Sequence, residues 1–70
     1  MYSKENFAQR LKDLLDKRGM TQRSLSERLK TTEVTVSRYV SGNRTPNIET
    51  TVEIANILGV SLNDLVGIDP

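Results

Sequence analysis

Helical spacing of apolar residues, cut at short intervals by stop signals, is the feature that most limits how this chain can fold. Glycines at positions 19, 42, 59 and 67 each close a stretch of that kind. No segment alternates apolar and polar residues over the length of a strand, so the spacing predicts short α-helices joined by short turns. The first helix is expected from Lys4 or Phe7 to Arg18, with Phe7, Leu11, Leu14 and Leu15 on one stripe. Ser3 or Asn6 can cap it, and Asn6 with Gln9 resembles a capping box. The second helix follows Thr21 as N-cap and ends near Leu29 or Lys30, with Leu25 and Leu29 as its core pair. The third has Thr32 as N-cap and runs from Glu33 to Ser41, ended by Gly42 and Asn43. Pro46 and Asn47 precede a fourth, Ile48 to Leu58, and Ser61 with Asp64 caps a fifth, Leu62 to Val66.

Seventy residues fit one small all-α domain, residues 1–70, near the lower limit for folding alone. Its expected core is Phe7, Leu11, Leu14, Leu25, Leu29, Val36, Tyr39, Ile48, Val52, Ala55, Leu58, Leu62 and Leu65. There is no cysteine and no histidine. That removes disulfides, thiolate and imidazole metal ligands, and every mechanism with a histidine base or cysteine nucleophile. The remaining Lys, Tyr and carboxylate groups form no recognisable catalytic constellation, so neither enzyme activity, nor a metal, nor a cofactor is expected. No apolar run approaches the roughly 20 residues of a membrane span, and the polar N-terminus carries no signal-peptide core. A cytoplasmic location is the expectation.

The net charge of +1 conceals an asymmetry. Residues 1–45 hold all ten Lys and Arg against five acids, a balance of +5, whereas residues 46–70 hold four acids and no base. A basic first part suggests a polyanionic partner. The sharper signal is the joint between the second and third helices, where Lys30, Thr31 and Thr32 separate two helices of about eight residues. This is a helix-turn-helix over about residues 21–41. Projected at about 100° per residue, Val36 and Tyr39 of the third helix point one way and Glu33, Val34, Ser37, Arg38 and Ser41 the other. The outward groups suit base edges. Arg38 can bond guanine through two donors, Glu33 can accept from the cytosine amino group, and Val34 and the Thr35 methyl can touch thymine methyls. For Glu33 a purely structural role at the positive end of the helix is an equal alternative. Gln22 and Arg23 open the second helix, where free N–H groups favour an anion. The small, polar and basic segment from Ser41 to Thr45 can follow a sugar–phosphate backbone.

Four stretches carry a family resemblance: FAQRLKDLLDKRGMTQ at 7–22, TEVTVSRYVSG at 32–42, NRTPNIET at 43–50 and ANILGVSLNDL at 55–65. Together they resemble the Cro and phage-repressor (XRE-like, lambda-repressor-like) helix-turn-helix family over roughly residues 6–67. The resemblance implies a compact five-helix DNA-binding domain and a transcriptional regulator, a bacterial or prophage repressor. It implies double-stranded DNA as partner, a palindromic operator and a homodimer at least on DNA. Carried across, Gln22 matches a phosphate-gripping position, Thr32 caps the recognition helix and touches phosphate, and Glu33, Val34, Ser37 and Arg38 match base-reading positions. Ser41, Asn43 and Arg44 match the backbone-contacting loop. A second reading is an antitoxin or anti-repressor module that uses the same fold to bind a protein through its acidic, apolar C-terminal part.

The chain departs from the family pattern at four places. Lys30 stands where the turn usually has glycine, Ser26 replaces an alanine and Tyr39 a tryptophan. Leu15 and Val40 stand where an arginine and a glutamate often pair, and the two are expected to touch as an apolar substitute for that ion pair. Ile57 points away from Ile48. With Val60, Val66 and Ile68 it forms a dimer patch or, equally, packs under the fifth helix.

Overall fold

A computed structural model describes residues 4–66, with side chains from residue 6 onward. Five helices follow one another: α1 (Lys4–Arg18), α2 (Gln22–Leu29), α3 (Glu33–Ser41), α4 (Ile48–Leu58) and α5 (Leu62–Val66). α1 packs on α3, α4 and α5, while α2 packs on α3 and α4. The described residues contain no strand.

The caps fix where these helices start. Thr21 Oγ1 accepts from the Ser24 N–H at 3.0 Å, Thr32 Oγ1 from Thr35 at 3.2 Å, and Asn47 Oδ1 from Thr50 at 2.8 Å. Ser61 and Asp64 cap α5 reciprocally, with Ser61 Oγ accepting at 3.0 Å and Asp64 Oδ2 at 3.4 Å. The proposed Asn6–Gln9 box does not form. Helix α1 is already under way at Lys4, so Asn6 lacks the non-helical backbone of a cap, and Gln9 Nε2 donates instead to Asp13 Oδ1 at 3.0 Å. Ser3, the other candidate cap, lies outside the described residues, as does Gly67. Replacing Asn47 with Ala is expected to destabilise the fold by about 1 kcal/mol, measured by urea unfolding, because one N–H of α4 then loses its partner.

Four helices end in one motif, in which two successive N–H groups turn back to the last carbonyls. Met20 N–H reaches Leu15 O at 2.9 Å, Thr31 reaches Ser26 O at 3.0 Å, Asn43 reaches Arg38 O at 3.0 Å and Val60 reaches Ala55 O at 3.0 Å. The motif needs a left-handed residue just before the donor. Gly19, Gly42 and Gly59 supply it for three helices, and Lys30 (φ 58°, ψ 44°) supplies it for α2. For a side-chain-bearing residue this conformation costs on the order of 1 kcal/mol. Arg18 Nη2 also donates to Gly59 O at 3.5 Å, joining the ends of α1 and α4.

The core is built from Phe7, Leu11, Leu15, Leu25, Val36, Tyr39, Ile54, Ala55, Leu58 and Leu65. Leu14 and Leu29 are half-buried against it. Helix α4 corrects the expected core. Ile48 is 65% exposed and Val52 40%, while Ile54 is fully buried and Thr51 nearly so. Thr51 can be buried because its hydroxyl donates to Asn47 O at 2.7 Å. The buried arc of α4 therefore centres on Thr51, Ile54, Ala55 and Leu58, about 50° round the helix from the one the apolar pattern suggests. Leu62, also expected inside, is 36% exposed. Leu65 is the buried residue of the five-residue α5, with Val66 half-buried beside it.

Candidate nucleic-acid interface

The second and third helices form the joint that the sequence indicates. Leu25 of α2 and Val36 of α3 are fully buried, and Ser26 between the helices is 4% exposed. A small residue there lets the two backbones approach, and its hydroxyl is satisfied by Arg23 O at 2.6 Å. Thr31 and Thr32 complete the turn, and Thr32 caps α3.

With Val36 and Tyr39 buried, α3 presents its other side to solvent. Glu33, Val34, Ser37, Arg38 and Ser41 are all exposed and span a continuous arc of about 140°. Val34, at 61% exposure, lies near the middle of that arc. An apolar residue so placed gains little from burial in the isolated chain. Thr35 differs from its neighbours. It is half-buried, and its hydroxyl is 2.9 Å from that of Thr32, so this polar group is committed to the cap. Ser41 Oγ donates to Arg38 O at 3.1 Å, and the Arg38 carbonyl also accepts from Asn43 and Arg44 at 3.0 and 3.2 Å. One carbonyl thus anchors the whole turn after α3.

Polar and basic groups occupy the start of α2 and the segment after α3. At the start of α2, Gln22 is half-buried and Arg23 exposed. Their backbone N–H groups have no partner among the described residues, because Thr21 Oγ1 takes the Ser24 N–H and Leu25 takes Thr21 O. After α3, Asn43 and Arg44 are exposed. The guanidinium groups of Arg23, Arg38 and Arg44 bond to none of the described residues. Thr32 and Ser41 stand at the two ends of α3, Asn43 and Arg44 in the turn after it, and Gln22 and Arg23 at the start of α2, where Gln22 shares a cleft with Val40 of α3. Leu15 is buried, Val40 is half-buried against the same core, and both line one small cleft with Met20 and Gln22.

Ile57, Val60 and Val66 are half-buried and pack against the core, so part of the surface a dimer would use is already covered. Ile68 lies outside the described residues. The exposed large apolar groups among the described residues are instead Ile48 and Val52 on α4, Leu62 on α5 and Val34 on α3. The apolar pattern favours Ile48 over Ile54, because Ile48 shares a stripe with Val52, Ala55 and Leu58; the burial of Thr51, whose hydroxyl is satisfied by the backbone carbonyl four residues earlier, is not visible in it. Among the described residues no cluster of acidic side chains could hold a metal ion, and no helix is long and apolar enough to cross a membrane.

A sequence model described as helix-turn-helix matches residues 11–65. An uncharacterized HTH-type transcriptional regulator of Bacillus subtilis (strain 168), YqaE, is 33% identical over 60 residues. The match covers 86% of this chain and 52% of that protein, so the chain spans about half the length of this relative. The crystal structure of a transcriptional regulator from Listeria innocua superposes with a TM-score of 0.84 at 31% identity, covering 91% of this chain and 60% of that one. Hydroxypropylphosphonic acid epoxidase from S. wedmorenis, in complex with fosfomycin, superposes with a TM-score of 0.85 at 27% identity. That match covers 94% of this chain but only 35% of the epoxidase. The same five-helix unit thus occurs within proteins of different activities, and the exposed residues must carry any functional argument.

Proposed function

The chain belongs to the XRE-like helix-turn-helix family, and we propose that it binds double-stranded DNA sequence-specifically to regulate transcription, as a repressor. One observation carries this reading: α3 displays Glu33, Val34, Ser37, Arg38 and Ser41 as a continuous exposed arc, and the exposed cations Arg23, at the start of α2, and Arg44, after α3, have no partner among the described residues. That is the arrangement of a helix that enters the major groove while neighbouring groups hold the phosphates on either side. Arg38 and Glu33 read base edges, and Val34 touches a thymine methyl. Thr35 contributes only its methyl, since its hydroxyl is engaged with Thr32. The free N–H groups of Gln22 and Arg23 at the positive end of α2 take one phosphate. Thr32, Ser41, Asn43 and Arg44 follow the sugar–phosphate backbone. Residues 1–70 act as one such unit in the cytoplasm, without a cofactor. Two copies bind a palindrome with half-sites about 34 Å apart.

The test is binding to random duplex DNA, followed by fluorescence anisotropy at 50 and 200 mM salt. A steep loss of affinity with salt supports the reading, since phosphate contacts release counterions. Salt-independent or absent binding overturns it. Arg44→Ala is expected to weaken all duplexes alike and to reduce the salt slope by about one unit.

A protein-binding role of antitoxin or anti-repressor type is favoured by one separate observation. On α4 the exposed apolar Ile48 and Val52 stand beside the exposed acids Glu49 and Glu53. Pull-down of a protein partner that stays bound at high salt, with Val52→Asp abolishing capture, is the result that reading requires.

A further inference from the structure

The ends of the helices single out one residue. Where α1, α3 and α4 close with glycine in the left-handed conformation, α2 closes with Lys30. Among the described residues Lys30 is the one non-glycine with positive φ. Its backbone makes the same two bonds as the glycines do: Lys30 N–H to Glu27 O at 3.2 Å and Thr31 N–H to Ser26 O at 3.0 Å. Glycine would form this turn with no steric strain. The lysine side chain is exposed and bonds to none of the described residues, so no packing or ion pair within the fold accounts for it. A cation at the negative end of α2 is favourable, but Arg28 already stands in that last turn.

Position supplies the remaining observation. Lys30 lies two residues before Thr32, the cap of α3, and Arg44 lies three residues after Ser41, its last residue. Two cations without a partner among the described residues therefore bracket, in sequence, the helix with the exposed reading arc. Between them, α3 is nine residues long, or about 13.5 Å, close to the roughly 12 Å width of a major groove. A long cationic side chain at each end, the Lys30 ammonium and the Arg44 guanidinium, can reach the phosphates that border the groove.

We propose that Lys30 is a DNA-phosphate contact, held by the turn at the N-terminal end of α3 at the expense of local backbone strain. Residues in sparsely populated backbone regions collect at functional sites for this reason. The inference rests on the DNA-binding reading above. It assigns a contact to a turn position that glycine would otherwise fill.

Salt-dependent binding of the wild type, Lys30→Gly, Lys30→Asn and Lys30→Arg to one duplex tests it, together with the thermal midpoint of each. Gly and Asn both accept the left-handed conformation but carry no charge, whereas Arg keeps the charge. Loss of one contact lowers the salt slope by about 0.9, so between 50 and 200 mM the Gly and Asn variants are expected to lose about 3.5-fold less affinity than the wild type. Lys30→Arg is expected to keep the wild-type slope. Lys30→Gly is expected to raise the thermal midpoint by about 4–8 °C while binding DNA less tightly. Wild-type slopes in both uncharged variants overturn the Lys30 contact while leaving the DNA reading intact. A fall in thermal midpoint for Lys30→Gly and Lys30→Asn, with slopes unchanged, assigns the charge to helix stability instead. Absence of salt-dependent binding by the wild type removes the DNA reading, and the Lys30 contact with it.

Discussion

Ile54→Ala is expected to remove about 2–5 kcal/mol of folding stability, while Ile48→Ala is expected to change it by less than about 0.5 kcal/mol. Ile54 is fully buried, so its truncation loses both apolar transfer energy and packing around the vacated space. Ile48, six residues earlier on the same helix, is 65% exposed and leaves little behind. A chain of 70 residues has a total stability of roughly 3.5–10 kcal/mol at typical per-residue values. The Ile54 variant therefore loses a large share of it and shows a clear shift in urea midpoint by circular dichroism. Equal losses at the two positions, or a larger loss at Ile48, would contradict the rotation of α4 described above.

Arg38→Ala has the largest expected effect on function. On a preferred site selected from a random DNA pool, it is expected to weaken binding by about 1–3 kcal/mol, roughly 5- to 150-fold. Reselection with the variant is expected to return a motif relaxed at one base position. The reason is geometric: the Arg38 carbonyl is fixed by Ser41, Asn43 and Arg44, while its guanidinium is exposed on the arc opposite Val36 and Tyr39. The backbone is held and the fork is free to engage a guanine edge. The same loss on every duplex, with no change in motif, would make Arg38 a phosphate contact and move base reading to Glu33, Val34 or Ser37.

The two substitutions probe information of different kinds. The exposed side of α3 is legible in the sequence because Val36 and Tyr39 define its buried side, and 100° per residue places every other group relative to them. The limits of the helices are legible for a similar local reason. Thr21, Thr32, Asn47 and Ser61 take up N–H groups three residues away, and Gly19, Gly42 and Gly59 adopt a conformation that other residues avoid. Lys30 is legible only through its place in the family pattern, since nothing in a lysine announces a left-handed backbone. Thr35 misleads because its methyl suits a thymine while its hydroxyl is drawn to Thr32.

Among the described residues, local chemistry alone settled the number and order of the helices and the starts of α2 to α5, as well as which side of α3 faces outward, because caps, stops and a short unambiguous stripe act within a few residues. The rotation of α4 and the fate of its apolar groups were settled only when the chain closed on itself. That helix must meet α1, α2 and α5 together, and this requirement buries Thr51 and Ile54 while leaving Ile48 and Val52 outside. Ile57, Val60 and Val66 were decided in the same way. Hydrophobicity says that a side chain would gain from burial, but only the arrangement of several helices at once determines which side chains find a place inside.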